Sequence, residues 1–249
     1  MGLSCVLDHG PVLVRFMPWS RTLLTLSLLG CSSSGPDIRI GAAASLSDVL
    51  PSLLESAEVE LGLDIEAVYA SSGELAAQLR HGAQLDALFL ASEPRIAELI
   101  SEGILVESEG PSLRNQLVLA GPSGGGSGDL VTQLATSPRV GIGTLGVPAG
   151  DYARTWLASE ELDSVGLVEF GHVRAVLACI ESGSCTQGFV YTTDLRGRAG
   201  LEVRARWSGS PRYAYAISPT ASQGPAQLGL LLAESRSAFA DAGFLVEEL

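Results

Sequence analysis

Short apolar runs of strand length alternate with longer segments of helical periodicity along most of the chain. The helix predicted for 47–61 has one apolar face, formed by Leu50, Leu53, Leu54, Ala57 and Leu61. Further strands are predicted at 38–41, 65–69, 86–90, 116–120, 140–143, 188–191 and 212–217, and a long final helix at 225–241. This alternation predicts an α/β fold with mostly parallel sheets.

Composition narrows the class of protein. The chain has 249 residues, of which 46% are hydrophobic, so one large domain or two small ones with a full core are expected. The formal net charge is −13, and all 15 basic residues are arginine. Arginines do not cluster beyond Arg196–Arg198 and Arg204–Arg206, so nucleic acid is not an expected partner.

The N-terminal segment has the pattern of an export signal. Arg21 precedes a brief apolar run that is too short to span a membrane, and Leu28-Leu29-Gly30-Cys31 resembles a bacterial lipobox. We therefore predict a signal peptide over 1–31, a true start at Met17 and a lipid on Cys31. Such a protein is exported to the periplasm or cell surface and held to the membrane by its lipid alone. The alternative is an ordinary signal peptide with an incidental cysteine.

Two cysteines remain in the mature chain beyond Cys31. Cys179 and Cys185 are six positions apart between a predicted helix and strand. In an oxidising compartment this pair predicts a local disulfide. Two free thiols, or a metal site that includes His172, are the other readings.

Two serine turns are the first candidates for chemistry. Ser45 lies in Gly-Ala-Ala-Ala-Ser-Leu and Ser72 in Ser-Ser-Gly-Glu, each just before a helical run. A helix start has unpaired N–H groups and a partial positive charge, so a serine there can help to bind an anion. The alternative is plain helix capping, by Ser45 or Ser47 in the first turn and by Ser71 with Glu74 in the second.

Three further segments have similar potential. Val147-Pro148-Ala149-Gly150 and His172-Val173-Arg174 each begin a predicted helix, and Tyr191 ends a strand. Ala149 and Val173 can offer backbone N–H groups, and Tyr191 a hydroxyl. The alternative is that these segments have no role in binding. In that case the segments at Ala149 and Val173 are ordinary helix starts, His172 is a cap or packing residue, and Tyr191 is an edge residue of the core.

Together these segments resemble the periplasmic molybdate-binding proteins of molybdate ABC importers. That family has, in order, AAASL, ASSGxLAxQIxxGAPADVF, VPAG, DVRxAL and GxVYxTD. This chain has GAAASL, ASSGELAAQLRHGAQLDALF, VPAGDYA, HVRAVL and GFVYTTD. It departs from the family at Gln84-Leu85 and at His172, where an aspartate is usual, and the Cys179–Cys185 pair is not part of the family pattern.

The resemblance implies a fold and a site. The fold is a two-lobed periplasmic binding protein of type II, with a mostly parallel sheet in each lobe and the ligand in the cleft between them. Lobe 1 is expected at 38–119 and 217–249, and lobe 2 at 120–216. Carried over by motif, the donors to the oxyanion are Ser45, Ser72, Ala149, Val173 and Tyr191.

The resemblance also implies a function. The protein is expected to capture molybdate, and tungstate, and to deliver it as a monomer to the permease of an ABC importer. No cofactor is expected, and the only metal is that of the bound oxyanion. A receptor for sulfate or another tetrahedral oxyanion is the alternative. A Ser-His-Asp hydrolase is not expected, because no Gly-x-Ser-x-Gly motif is present.

Overall fold

The computed structural model describes residues 35–135, 137–162 and 166–247. The predicted signal peptide, the start at Met17 and the lipidation site at Cys31 lie outside the described residues. Within them, no helix is long and apolar enough to cross a membrane.

The first lobe is a seven-stranded sheet in the order β12-β5-β11-β3-β1-β2, with β4 also paired to β11. Its strands are β1 (Ile38–Ala43), β2 (Ile65–Ala70), β3 (Ala87–Leu90), β4 (Val106–Glu107), β5 (Leu113–Arg114), β11 (Arg212–Ile217) and β12 (Leu245–Val246). Its helices are α1 (Leu50–Leu61), α2 (Ser72–Arg80), α3 (Glu93–Ser101), α7 (Gly224–Glu234) and α8 (Arg236–Asp241). Two apolar clusters form the core of this lobe. One includes Ile40 and Phe89, and the other includes Leu75 and Leu88.

The second lobe is a five-stranded sheet in the order β10-β6-β9-β7-β8. Its strands are β6 (Leu117–Pro122), β7 (Val140–Gly143), β8 (Leu167–Phe170), β9 (Gln187–Tyr191) and β10 (Leu201–Arg206). Its helices are α4 (Leu130–Ala135), α5 (Pro148–Ser159) and α6 (Val173–Glu181). One apolar cluster joins this sheet to its helices and includes Trp156 and Phe189.

The α/β class with two lobes is confirmed, but the sheets are mixed rather than mostly parallel. Strand β1 pairs in parallel with β2 and β3, and β7 in parallel with β8 and β9. By contrast, β11 is antiparallel to β3, and β6 is antiparallel to β9. Strands β6 and β11 each begin just after a segment where the chain passes from one lobe to the other. Each is antiparallel to the strand named here as its neighbour.

The chain changes lobes at different positions from those expected. Strand β6 belongs wholly to the second sheet, although lobe 1 was expected to extend to residue 119. Strand β11 belongs wholly to the first sheet, although lobe 2 was expected to extend to residue 216. The two crossings therefore lie near Asn115 and Pro211. An apolar run identifies a strand, but its partner strand decides to which sheet it belongs.

Two helices also differ from the sequence pattern. Helix α1 begins at Leu50, with Val49 as its N-cap and no side-chain cap, so neither Ser45 nor Ser47 caps it. A short 3-10 turn over Ala44–Leu46 takes up the preceding residues. The expected final helix is two helices, α7 and α8, which meet at Ser235.

Cys179 and Cys185 form a disulfide, with their Cα atoms 5.2 Å apart. The amide of Cys185 also donates to the carbonyl of Cys179 at 2.9 Å. The disulfide closes the turn between α6 and β9 and so stabilises the helix whose first residue is Val173. No group of three or more potential metal ligands occurs in the described ranges.

Candidate functional site

A cavity of about 240 Å³, including its open mouth, lies between the two lobes. It contains all the predicted donors, Ser45, Ser72, Ala149, Val173 and Tyr191. The remaining lining residues, which the sequence argument did not single out as donors, are Ala43, Ala44, Ala70, Ser71, Ala91, Val147, Pro148 and His172. Alanines beside helix starts were the signal that could have found half of them, because small side chains leave backbone N–H groups accessible.

Ser72 is the first residue of α2 and is 1% exposed. Its Oγ accepts a hydrogen bond from the amide of Ala91 at 3.1 Å. A backbone amide can only donate, so the hydroxyl proton of Ser72 is left to point elsewhere, and the cavity lies beside it. Ser71 is the N-cap, as predicted, and its Oγ accepts from the amide of Glu74 at 3.2 Å.

Ser45 lies in the 3-10 turn after β1 and is 3% exposed. Its Oγ is 2.7 Å from the hydroxyl of Tyr213 on β11. The hydroxyl is therefore held by tertiary contact and does not cap α1. Its position at the carboxyl end of β1 is typical of ligand sites in α/β proteins.

The second lobe contributes two helix starts. Helix α5 begins at Pro148, so the amide of Ala149 lies in its first turn, where helical N–H groups lack intrahelical partners. The following Gly150 is required for packing, because a Cβ there would lie 2.2 Å from the carbonyl oxygen of Gly143. Helix α6 begins at Val173, and His172 caps it by accepting from the amide of Ala175 through Nδ1 at 3.2 Å.

Tyr191 completes the cavity from the end of β9. The residue is 1% exposed, and its hydroxyl has no hydrogen-bond partner among the described residues. Burial, with nearby phenol and carboxyl groups, raises its pKa well above the usual value. The phenol therefore keeps its proton and can donate it to an anion in the cavity.

Arg174, next to Val173, links the two lobes. Its guanidinium is 2.8 Å from the carboxylate of Asp48 and 3.4 Å from the carbonyl oxygen of Ala44, both in lobe 1. It also lies 3.4 Å from Asp194 of lobe 2, whose other carboxylate oxygen accepts from the amide of Tyr191 at 2.9 Å. No local sequence pattern marks this bridge, because its partners are distant along the chain.

A second set of contacts closes the cleft. A Cβ on Gly73 of α2 would lie 2.3 Å from the carbonyl oxygen of Gly146, before α5. Arg95 of α3 is also 3.7 Å from Asp151 of α5. The lobes are thus in contact on both sides of the cavity, and the structure shows the closed arrangement.

Asp194 is fully buried, and burial raises its pKa to about 6, although Arg174 acts in the opposite direction. Its ordinary value is 3.8, so between about pH 4 and 6 the folded state binds a proton that the unfolded state has released. The contribution of Asp194 to the free energy of unfolding should therefore increase as the pH falls from 7 to 4.

Urea denaturation of the native protein and of Asp194→Asn at pH 4.5, 5.5, 7 and 8 measures this contribution. The stability of the native protein relative to the variant should rise from pH 7 to 4.5 and stay constant from pH 7 to 8, where both states are ionised. A difference that does not vary with pH would contradict the expectation.

The cavity offers donors without formal charge. Among the described residues that line it, none is Asp, Glu or Arg, and the identified donors are hydroxyls and helix-start amides. Helix starts attract anions through their N–H groups and dipoles. These features define the class: a two-lobed protein with a cavity in the cleft between its lobes, lined by hydroxyl groups and helix-start amides.

The family can be stated as well. Residues 38–245 match the bacterial extracellular solute-binding protein family, and the chain belongs to it. Members of such a family bind solutes for transport, which confirms the expectation that the chain is not an enzyme.

Two relatives by sequence are informative. The "Putative ABC transporter substrate-binding lipoprotein YvgL" of Bacillus subtilis is 34% identical over 184 residues, covering 68% of this chain and 71% of that protein. The molybdate-binding protein ModA of Escherichia coli is 29% identical over 181 residues, covering 68% of this chain and 70% of that protein. The resemblance to molybdate-binding proteins is thereby confirmed.

A solved structure shows how far the fold is shared. The sulfate-binding protein SubI from Mycobacterium tuberculosis superposes with a TM-score of 0.69 at 15% identity, covering 85% of this chain and 87% of that one. At this identity the likeness concerns the fold alone. The fold by itself therefore does not determine which ligand is bound.

Proposed function

We propose that the protein is an extracytoplasmic receptor that binds molybdate, and tungstate, and delivers it as a monomer to the permease of an ABC importer. The observation that carries the proposal is the cavity between the lobes, whose identified donors are all neutral and include the hydroxyl of Tyr191, which has no partner among the described residues. The 29% identity to a molybdate-binding protein supports the same ligand.

The chemistry of the donors favours a fully deprotonated oxyanion. Molybdate, tungstate and sulfate offer only acceptors near neutral pH, which match hydroxyl and amide donors. Hydrogen phosphate carries a proton and needs an acceptor in the site. The proposed contacts are the hydroxyls of Ser45, Ser72 and Tyr191 and the amides of Ala149 and Val173. No cofactor is needed for this function.

Sulfate is the second candidate, because SubI shares the fold. The two anions have the same charge and shape and differ in size, so the closed cavity must distinguish them by the distances between opposing donors. Closure of the lobes would both bury the ion and create the surface that a permease recognises.

Isothermal titration calorimetry of the mature chain with molybdate, tungstate, sulfate and phosphate tests the proposal. We expect tight binding of the first two and much weaker binding of sulfate and phosphate. Equal or tighter binding of sulfate would assign the receptor to sulfate, and no binding of any of the four would overturn the oxyanion proposal.

We further propose a lipid anchor on Cys31, which the name of the relative YvgL as a lipoprotein supports. Mass spectrometry of the N-terminal peptide from membranes of an expressing bacterium should find a diacylglyceryl cysteine at this position. A soluble mature form that begins elsewhere would contradict the anchor.

A further inference from the structure

A chain of buried hydrogen bonds leads from the crossing between the lobes to the cavity. Asn115, between β5 and β6, is 0% exposed, and its Nδ2 lies 3.3 Å from the hydroxyl of Tyr213. That hydroxyl lies 2.7 Å from Oγ of Ser45. Three residues that are far apart in sequence are thus connected in a line that ends at a cavity donor.

The first hydrogen bond in this chain determines which groups donate and which accept. The amide of Gln116 donates to Oδ1 of Asn115 at 2.9 Å, and a backbone amide can only donate. The Nδ2 side of Asn115 must therefore face the other way, where it donates to Thr193 Oγ1 at 2.9 Å and to Tyr213.

The same order of donors and acceptors determines the role of the Ser45 hydroxyl. The hydroxyl of Tyr213 accepts from Asn115, and Oγ of Ser45 is its other hydrogen-bond neighbour among the described residues, so the phenol proton is directed to Ser45. Ser45 then accepts from Tyr213 and has its proton free for the cavity. Burial keeps the pKa of Tyr213 above its usual value, so the phenol retains the proton that this arrangement needs.

We propose that Asn115 and Tyr213 are positioning residues that hold Ser45 as a hydrogen-bond donor and so favour fully deprotonated oxyanions over protonated ones. The inference rests on the proposed function, because it concerns selection among oxyanions in the same cavity. Without Tyr213, the Ser45 hydroxyl could rotate and accept a proton from hydrogen phosphate. Neither residue is among the described residues that line the cavity, so both act through Ser45.

The chain offers a matched control for Tyr213→Phe. Tyr215 is on the same strand, is similarly buried, and packs edge-on against Phe89 at 6.1 Å, compared with 6.2 Å for Tyr213. Its hydroxyl donates to the carbonyl of Pro225 at 2.6 Å, away from the cavity. Tyr215→Phe therefore removes one buried hydroxyl from β11 without affecting the line to Ser45.

Calorimetry with molybdate, and competition by sulfate and phosphate at pH 7, tests the proposal. We expect Tyr213→Phe to weaken molybdate and sulfate binding by about threefold to tenfold, the effect of one hydrogen bond, with phosphate weakened less. The ratio of molybdate to phosphate affinity should fall, while Tyr215→Phe leaves both affinities unchanged.

A double-mutant cycle with Ser45→Ala distinguishes positioning of the Ser45 hydroxyl by Tyr213 from a general disturbance of packing around the cavity. If Tyr213 acts through Ser45, adding Tyr213→Phe to Ser45→Ala should cause no further loss. Additive losses, an unchanged affinity ratio, or equal effects of the two tyrosine variants would overturn the positioning role. Failure of the unmodified protein to bind any oxyanion would instead overturn the proposed function.

Discussion

Tyr191→Phe is expected to weaken molybdate binding by about 10- to 100-fold without destabilising the ligand-free protein. A hydrogen bond to a charged group contributes roughly 1.5–3 kcal/mol, which corresponds to this loss of affinity. The same hydroxyl is buried without a partner among the described residues. Removing a hydroxyl that makes no bond to the described part of the chain breaks no contact within the protein, so the free energy of unfolding without ligand should not fall.

The separate effects on affinity and on stability make this variant informative. Calorimetry gives the affinity, and urea denaturation without ligand gives the stability. A variant that merely disturbed packing would lower both quantities. A variant that removed a hydroxyl with no role in binding would leave the affinity unchanged.

Tyr69→Phe is the matched control. The hydroxyl of Tyr69 on β2 is also buried without a partner in the described part of the chain, and burial raises its pKa to about 12. It does not line the cavity. This variant should lose neither stability nor affinity. A loss of molybdate affinity in Tyr69→Phe equal to that in Tyr191→Phe would contradict the assignment of Tyr191 as a donor.

Gly73→Ala is expected to weaken ligand binding by about 10- to 100-fold by preventing closure of the lobes. The added Cβ would lie 2.3 Å from the carbonyl oxygen and 2.8 Å from the carbonyl carbon of Gly146. Backbone atoms on both sides leave no flexible group to move, and overpacking of this kind costs roughly 1–3 kcal/mol. The clash exists only when the lobes meet.

The open form should tolerate the change well. Gly73 lies in the first turn of α2, and alanine is favoured over glycine in a helix interior by roughly 1 kcal/mol. The ligand-free variant should therefore be at least as stable as the native protein. Small-angle X-ray scattering with saturating molybdate should show a larger radius of gyration than for the native complex.

Gly200→Ala serves as the control, because a Cβ there meets nothing within 4 Å and its backbone angle is not in the left-handed region. It should bind and close like the native protein. Full closure and native affinity in Gly73→Ala would show that the approach of Gly73 to Gly146 does not limit binding.

Local sequence determined the helix starts that face the cavity. The Ser71 cap needs only a bond to Glu74 three residues on, and the His172 cap a bond to Ala175 over the same spacing. Contacts of this range are set by neighbouring residues, so they can be predicted without the fold. The order of the five motifs, by resemblance, supplied the remaining expectation that their donors share one cleft.

Tertiary structure decided how those donors are held and directed. The bond from Ser45 to Tyr213 spans 168 positions, and the bond from Asn115 to Tyr213 spans 98. Neither partner has a local pattern that marks it. For the same reason the expected lobe boundaries cut through β6 and β11, since an apolar run has the same appearance whichever sheet it joins. A helix start is thus a property of adjacent residues, whereas the direction of a buried proton and the closure of a cleft depend on residues that only folding brings together.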